Sequence, residues 1–476
     1  MNCRLLSIAI LCATASAAGA APIGQQGRSC HLPGSEEALR CIKVPVALDY
    51  ARPDGARLAL HVTVAPAFRE AARPDPLFIL AGGPGEAGSD VLGLLNVALR
   101  RARATRDIVF IDQRGTGLSG KLECGDKAAS DSMSDAQLDA QLRACVARLG
   151  QPLAAYGTAS AARDIEQVRL ALGYERINLW GGSYGTRLAQ AYARAFPARL
   201  RAMVLDGVAA PEQVIPAGGR DGQAALDALF DQCAANPACK RAFPELRSEF
   251  GTLAERVAGD GVKLSIIDPR SAEPVQLTMT AERFIATVHG VLYSALDSRR
   301  LPFLVHSAYQ GRWEPFIARR NLSTDFGADG ATSMLLHLAV VCAEDMPRLT
   351  PQLLAMDARG SFLTAGHARR MAGLCAAVNV PPVPWAAPTP IEAPVLMLSG
   401  ALDPVTPPRR AQAAAASMTH AQQLVVAHAG HGISQLGCTP RLLREFLDQP
   451  GVPLKAQCLS EIPAASFQLG SAGPQP

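Results

Sequence analysis

Three residues far apart in this chain could together carry out acyl transfer. Ser183 lies in Gly181-Gly182-Ser183-Tyr184-Gly185, Asp403 in Ser399-Gly400-Ala401-Leu402-Asp403-Pro404, and His431 in Ala429-Gly430-His431-Gly432. A serine hydroxyl is a weak nucleophile at neutral pH. It needs an imidazole to take its proton, and the imidazole needs a carboxylate to set its tautomer and stabilise the imidazolium. The glycine-flanked serine matches G-x-S-x-G, a strained turn from strand to helix that exposes the hydroxyl. In so sharp a turn the side chains two residues before and after the serine would collide, which calls for glycine at both. The same turn aims the Tyr184 N–H and the positive end of the following helix at any oxyanion formed beside Ser183. No other serine in the chain fits this pattern.

Each of these residues needs a strand end to present it. The apolar run Ile177-Asn178-Leu179-Trp180 precedes the serine, and an alanine-rich helix over 184–196 follows it. Asp403 stands shortly past a strand at Val395–Leu398, and His431 shortly past one at Gln423–Ala427. The order serine, acid, histidine is that of α/β-hydrolase triads. His428 is the rival base but abuts its strand, and Asp206, after Val204-Leu205, is the rival acid. A second oxyanion donor is expected in the loop after an early strand, and Ala81-Gly82-Gly83-Pro84-Gly85 follows Pro76–Leu80. Gly82 or Gly83 can donate there; Pro84 has no N–H. The same loop offers a decoy, since Gly83-Pro84-Gly85-Glu86-Ala87-Gly88 matches G-x-G-x-x-G, with Asp112 ending the next strand. A dinucleotide-binding oxidoreductase is therefore the rival from another class. Pro84 inside the phosphate loop argues against it.

Around these motifs, strands are expected over 44–50 and 57–65, joined by a turn at Pro53-Asp54-Gly55. There follow a strand at 76–80, a helix over 89–104, a strand at 107–111, helices across 135–172, the strand before the serine, and a strand at 202–205. Apolar strands separated by helices imply an α/β architecture with a mostly parallel sheet covered on both faces. From Glu212 to Trp385 the patterns turn helical, and the proline-rich stretch Val380–Pro390 marks a boundary before strand signals resume and a last helix runs over 440–448. The expected organisation is a core of residues 21–211 and 386–476 with a helical cap over 212–385. The tail from Gly470 is expected to be disordered.

Met1–Ala20 has the form of a secretory signal peptide, with Arg4, an apolar run from Leu5 to Ala15, and small residues at Ala18-Gly19-Ala20. Its removal would take Cys3 and Cys12 of the twelve cysteines, and the even remainder suggests disulfides in a periplasmic or secreted protein. Neighbouring pairs would be Cys30–Cys41, Cys124–Cys145, Cys233–Cys239, Cys342–Cys375 and Cys438–Cys458, although spacing alone leaves the connectivity open. No later segment is long and apolar enough to suggest a membrane span. There is no C-x-x-C and the nine histidines are scattered, so neither a metal nor a cofactor is expected. A formal net charge of +4 implies no nucleic-acid partner. The one basic cluster, Arg100, Arg101, Arg103 and Arg106, is expected on a solvated helix face.

Taken together, Ala81–Gly85, Asp112-Gln113-Arg114-Gly115-Thr116-Gly117-Leu118-Ser119, Gly181–Thr186, Asp403-Pro404-Val405-Thr406 and Gly430-His431-Gly432 resemble the secreted tripeptidyl aminopeptidase and proline iminopeptidase family of α/β-hydrolase serine peptidases. The resemblance runs from about Val44 to Cys458. It includes the cysteine-bearing insertion with Phe230-Asp231-Gln232-Cys233 and Pro237-Ala238-Cys239. It implies an α/β-hydrolase fold and peptide substrates with a free N-terminus, with an esterase or amidase on the same triad as the runner-up. It also implies that Asp112 and Arg114 brace the oxyanion loop. The chain departs from the family with Ala81 leading that loop and with Glu86 where small residues are common. Acidic cap residues gripping the substrate amine would be Glu344 and Asp345; the alternative is that this pair caps a helix or lies on a solvated face.

Overall fold

In the computed structural model, residues 27–124, 135–269, 271–319 and 332–473 are described, and the leader expected at Met1–Ala20 lies outside them. Short apolar runs with no polar alternation form the middle of the sheet. β4 (Leu77–Leu80) and β5 (Ile108–Ile111) are buried at every position, as parallel strands covered on both faces must be. They are preceded by β1 (Arg28–Cys30), β2 (Leu39–Ala47) and β3 (Arg57–Ala65), and followed by β6 (Ile177–Gly182) and β7 (Leu200–Asp206). β8 (Val262–Ile267) and β9 (Pro274–Met279) pair as a separate hairpin, and β10 (Val395–Gly400) and β11 (Ala421–Val426) return to the main sheet.

The strand order is β1-β2-β3-β5-β4-β6-β7-β10-β11. The first three strands and β5 pair antiparallel, and every pairing from β5 to β11 is parallel. Leu80 pairs with Gly181, Gly182 with Asp206, and Asp206 with Leu398. This register brings the loops after β4, β6, β7 and β10 to one edge, the carboxyl edge where α/β sheets bind ligands.

Two hydrophobic clusters sit on the two faces of this sheet. One joins Phe78, Leu179, Met203 and Met397 to the helices Thr158–Ala171, Tyr184–Ala195 and Met334–Glu344. The other joins Ile79, Phe110, Val204 and Leu396 to the helix Thr439–Asp448 and the short helices at Leu94–Val97 and Arg100–Arg103. A third cluster, with Leu229, Phe284, Val288 and Phe316, lies within the helices and hairpin between β7 and β10. The helix Met334–Glu344 thus packs on the main sheet, although it lies in the stretch whose pattern reads as a cap. Among the described residues no helix is long and apolar enough to cross a membrane.

Four local expectations are corrected. The helix expected over 89–104 is broken into a 3-10 turn at Gly88–Val91 and two four-residue helices, with Gly93 at the first break. The hairpin β8–β9 lies in the stretch read as helical, its solvent face leaving a pattern too weak to find. Arg103 and Arg106 are not solvated: Arg103 bonds Glu37 and the Pro66 carbonyl, while Arg106 bonds Asp75, Asp448 and the Leu447 carbonyl. Of the tail expected from Gly470 to be disordered, residues 470–473 form a turn in which Gly470 bridges Gly473 and the Gly470 carbonyl accepts from the Gln468 side chain, and the rest lies outside the described residues.

Five disulfides form between sequence neighbours: Cys30–Cys41, Cys124–Cys145, Cys233–Cys239, Cys342–Cys375 and Cys438–Cys458. A crosslink stabilises mainly by shrinking the unfolded ensemble, more so for a longer loop. Cys342–Cys375 closes a separation of 33 residues and ties the helix Met334–Glu344 to the helix Ala365–Val378, whereas Cys233–Cys239 closes only 6. Replacing the first pair by serine should therefore cost about 4 kcal/mol and replacing the second about 2 kcal/mol. Urea unfolding of the two double variants would check this, and equal losses would contradict the loop-length argument.

Candidate active site

Ser183 holds φ +53°, in the half of backbone space that favours glycine, between β6 and the helix Tyr184–Ala195. The glycines around it are required by close approach. A Cβ at Gly181 would lie 2.4 Å from the Gly185 carbonyl oxygen, and one at Gly185 would lie 2.1 Å from the Leu80 carbonyl oxygen on β4. The second contact is with a neighbouring strand rather than within the turn. The Ser183 N–H donates to the Asp206 carbonyl at 2.9 Å, fixing the elbow to the end of β7. Tyr184 opens the helix, where first-turn N–H groups have no helical acceptor and remain available to a ligand.

Asp403 and His431 meet in the loops after β10 and β11. His431 Nδ1 lies 2.8 Å from Asp403 Oδ2, and because a carboxylate only accepts, that nitrogen carries the proton, while Nε2 has no partner among the described residues. Asp403 is buried and fully bonded: Oδ1 accepts from the Val405 and Thr406 N–H groups at 2.8 Å each, and Oδ2 also accepts from the Thr406 hydroxyl at 2.7 Å. Burial alone would push this carboxyl up. The His431 charge and these donors outweigh burial and hold it below the usual carboxylate range. For His431, burial works against the imidazolium, but Asp403, Asp206 and Glu86 together raise it above the usual histidine value.

Ser183 and His431 flank the same strand end. Gly207 follows Asp206, to which Ser183 is bonded, and a Cβ at Gly207 would lie 2.9 Å from His431 Cε1. The rival acid Asp206 does not touch the ring. It accepts the Ile433 and Ser434 N–H groups at 2.8 to 3.0 Å and anchors the loop that carries His431. The rival base His428 is exposed.

Gly82 lies beside Ser183, where a Cβ on it would come 3.1 Å from Ser183 Cβ, but its N–H already donates to Glu86 Oε2 at 2.9 Å. That leaves Gly83 and Tyr184 as the open backbone donors. Asp112 braces this region by accepting from the Ser89 N–H, the Ser89 hydroxyl and the Leu118 N–H, so the acid of the dinucleotide decoy is fully occupied and unavailable to a ribose. Gln113, which the motif did not single out, holds the loop through the Ala81 carbonyl. Arg114 instead pairs with Asp164 and binds the Ala47 and Leu48 carbonyls, away from the oxyanion loop.

The pair expected to grip a substrate amine is committed within the protein. Glu344 takes the Thr158 N–H at 2.8 Å and the Thr158 hydroxyl at 2.7 Å, so it caps the helix Thr158–Ala171, and the Tyr184 hydroxyl donates onward to Thr158. Asp345 is fully buried and binds Arg187 through both oxygens, with Arg348 and the Ile215 N–H as further donors.

Sequence reasoning missed the wall of the site. The helix Ala281–Tyr293 ends with the Tyr293 carbonyl accepting the His431 N–H at 2.8 Å, and its ring lies edge-on to the imidazole at 5.3 Å. A Cβ at Gly430 would lie 2.3 Å from that carbonyl oxygen, which explains the glycine before the histidine. His289, one turn earlier, is half-buried, with its Nε2 buried and unpartnered among the described residues, and desolvation pushes it down to about 4. His337, bonded to the Pro84 backbone, is also pushed down by burial. Only Thr406 had a readable signal, an aspartate whose side chain bonds the backbone two and three residues on. A separate cleft of about 470 Å³, lined by Arg73, Asp75, Glu175, Arg176 and Arg201, lies at the opposite edge of the sheet.

Strained serine elbow, buried Asp–His pair and carboxyl-edge location define a class, and the comparisons agree with it. A family model described as alpha/beta hydrolase fold matches residues 75–249, and one described as TAP-like protein matches residues 362–458. The chain has the α/β-hydrolase fold. Among its relatives, serine protease Hip1 of Mycobacterium tuberculosis is 34% identical over 221 residues, 42% of this chain and 42% of that protein. Tripeptidyl aminopeptidase of Streptomyces lividans is 32% identical over 225 residues, 42% of this chain and 41% of that protein. Carboxylesterase B of Mycobacterium tuberculosis is 37% identical over 225 residues, 42% of each. The matched stretch spans less than half the length of each of these relatives.

The two acids near His431 should separate in solution. Asp403→Asn removes the charge that holds the ring protonated, so the His431 imidazole should titrate at lower pH than in the unsubstituted protein. Asp206→Asn should instead loosen the Ile433–Ser434 anchor and lower the melting temperature. Imidazole NMR titrations and thermal melts of both variants would check this. A His431 titration unmoved by Asp403→Asn would contradict the pairing.

Proposed function

We propose that this chain is an exported serine aminopeptidase acting on peptides with a free N-terminus through a Ser-His-Asp triad. The observation that carries this reading is the buried Asp403–His431 hydrogen bond at 2.8 Å beside the positive-φ serine. Ser183 attacks the scissile carbonyl, His431 takes the hydroxyl proton and returns it to the leaving amine, and Asp403 holds the ring. Water then hydrolyses the acyl-enzyme by the same proton route. The Tyr184 and Gly83 N–H groups receive the oxyanion. The relatives named serine protease and tripeptidyl aminopeptidase support peptide substrates.

Of the stretch 212–385 read as a cap, the helices and hairpin from Gly219 to Ile317 act as one, whereas the helices Met334–Glu344 and Ala365–Val378 pack with the sheet core. Support comes from the contact of Tyr293 with His431, which sets the helix Ala281–Tyr293 against the catalytic loop and restricts access to chain ends. Export is supported by the five disulfides together with the apolar leader. A second reading, an esterase with the same triad, is favoured by the relative named carboxylesterase B.

Ser183→Ala should abolish both turnover of peptide anilides and labelling by a fluorophosphonate, with the fold unchanged by circular dichroism. Labelling of that variant at another serine would reject the assignment. Asp403→Asn should lower kcat on the order of 10⁴-fold, the scale of losing an orienting carboxylate. Steady-state kinetics would check it, and a loss below about tenfold would remove Asp403 from the triad.

A further inference from the structure

We propose that Glu86 is the anchor for the substrate's α-ammonium and that its position selects release of single N-terminal residues over tripeptides. This rests on the aminopeptidase reading above and names what that reading leaves open. An ammonium withdrawn from water needs a carboxylate partner. Of the carboxylates near Ser183, Asp403 holds His431, Asp206 holds its loop, Asp112 holds Ser89 and Leu118, and Glu344 caps a helix through Thr158. Glu86 has one partner among the described residues, the Gly82 N–H, on Oε2 alone. That bond fixes the orientation of the carboxylate while leaving Oε1 for a ligand, a preorganised arrangement that lowers the cost of binding.

Placement then sets the substrate length. A Cβ built on Gly82 would lie 3.1 Å from Ser183 Cβ and 3.3 Å from Glu86 Oε2, so the serine stem and the carboxylate flank one point. In a single-residue acyl group the amine is two bonds from the attacked carbonyl carbon, about 2.5 Å away, within reach of both. In a tripeptidyl group the amine lies about 7 Å farther along an extended chain, beyond Glu86. The His431 charge acts on the Glu86 carboxylate, but that ring is hydrogen-bonded to Asp403. Burial holds His289, His337 and His367 toward their neutral forms, so they add no cation beside Glu86. Burial also pushes the Glu86 carboxyl up, a demand for positive charge that an incoming ammonium meets.

The test compares the mature protein with Glu86→Gln and Glu86→Asp on alanine p-nitroanilide, trialanine p-nitroanilide and p-nitrophenyl acetate. Glutamine keeps an oxygen for the Gly82 N–H but has no charge. The unsubstituted enzyme should prefer the single-residue anilide. Glu86→Gln should raise KM for it at least about tenfold more than for the ester, the scale of a lost charge-assisted hydrogen bond. Glu86→Asp should recover part of the loss. Equal losses on anilide and ester would make Glu86 a brace for the oxyanion loop and overturn the proposal. So would trialanine anilide being preferred and indifferent to Glu86→Gln, which leaves the aminopeptidase reading standing. Turnover of the ester with no turnover of either anilide would reject the aminopeptidase reading itself, and this proposal with it.

Discussion

A carboxylate charge held out of water at Asp403 is the constraint around which the rest of the site is arranged. An isolated ionised group in such a place would neutralise itself by taking a proton. Here four donors prevent that: two backbone N–H groups, the Thr406 hydroxyl and the His431 ring. Those donors come from two loops, so satisfying the charge also fixes the loop after β10 against the loop after β11. The imidazole is thereby locked in one tautomer with Nε2 open, which a flexible solvated pair could not guarantee.

The loops can converge only because the backbones they cross have no side chains in the way. A Cβ at Gly400 would lie 2.0 Å from the Gly430 carbonyl oxygen, so β10 and the histidine loop pass in direct backbone contact. The serine elbow obeys the same rule against β4. Such contacts transmit position rigidly, since packed backbone cannot yield as a long side chain can. The chain between β7 and β10 joins the site in the same way, through the Tyr293 carbonyl and the His431 N–H, so the wall of the cleft and its imidazole form one unit.

Acidic residues in this molecule divide by how completely the protein satisfies them. Asp164, Asp206 and Asp345 are buried and saturated by arginine or backbone donors, and they hold elements together. Removing one partner of such a group would leave the other buried and stranded, at a cost of several kcal/mol. Glu86, whose carboxylate has a single bond among the described residues, stands apart from them.

The amino-acid sequence by itself determined the serine elbow, the order of serine, acid and histidine, and the alternation that builds a mostly parallel sheet. These are local properties: a positive-φ serine between glycines, apolar runs of four to six residues and amphipathic helices are set by sterics within a few residues. It also marked Asp403 over Asp206, because Asp403 follows a late strand in the order serine, acid, histidine. Tertiary structure alone decided the fates of Glu344 and Asp345, whose partners Thr158 and Arg187 lie on helices far earlier in the chain. It likewise buried Arg106 against Asp448, brought Tyr293 onto His431, and turned Glu86 back onto the Gly82 N–H beside Ser183. The first two of these contacts join residues that no local pattern relates, whereas Glu86 and Gly82 are four residues apart and only Ser183 beside them is brought in by the fold. Whether a charged side chain is solvated, structural or free to bind depends on which distant donors the packed chain brings within reach.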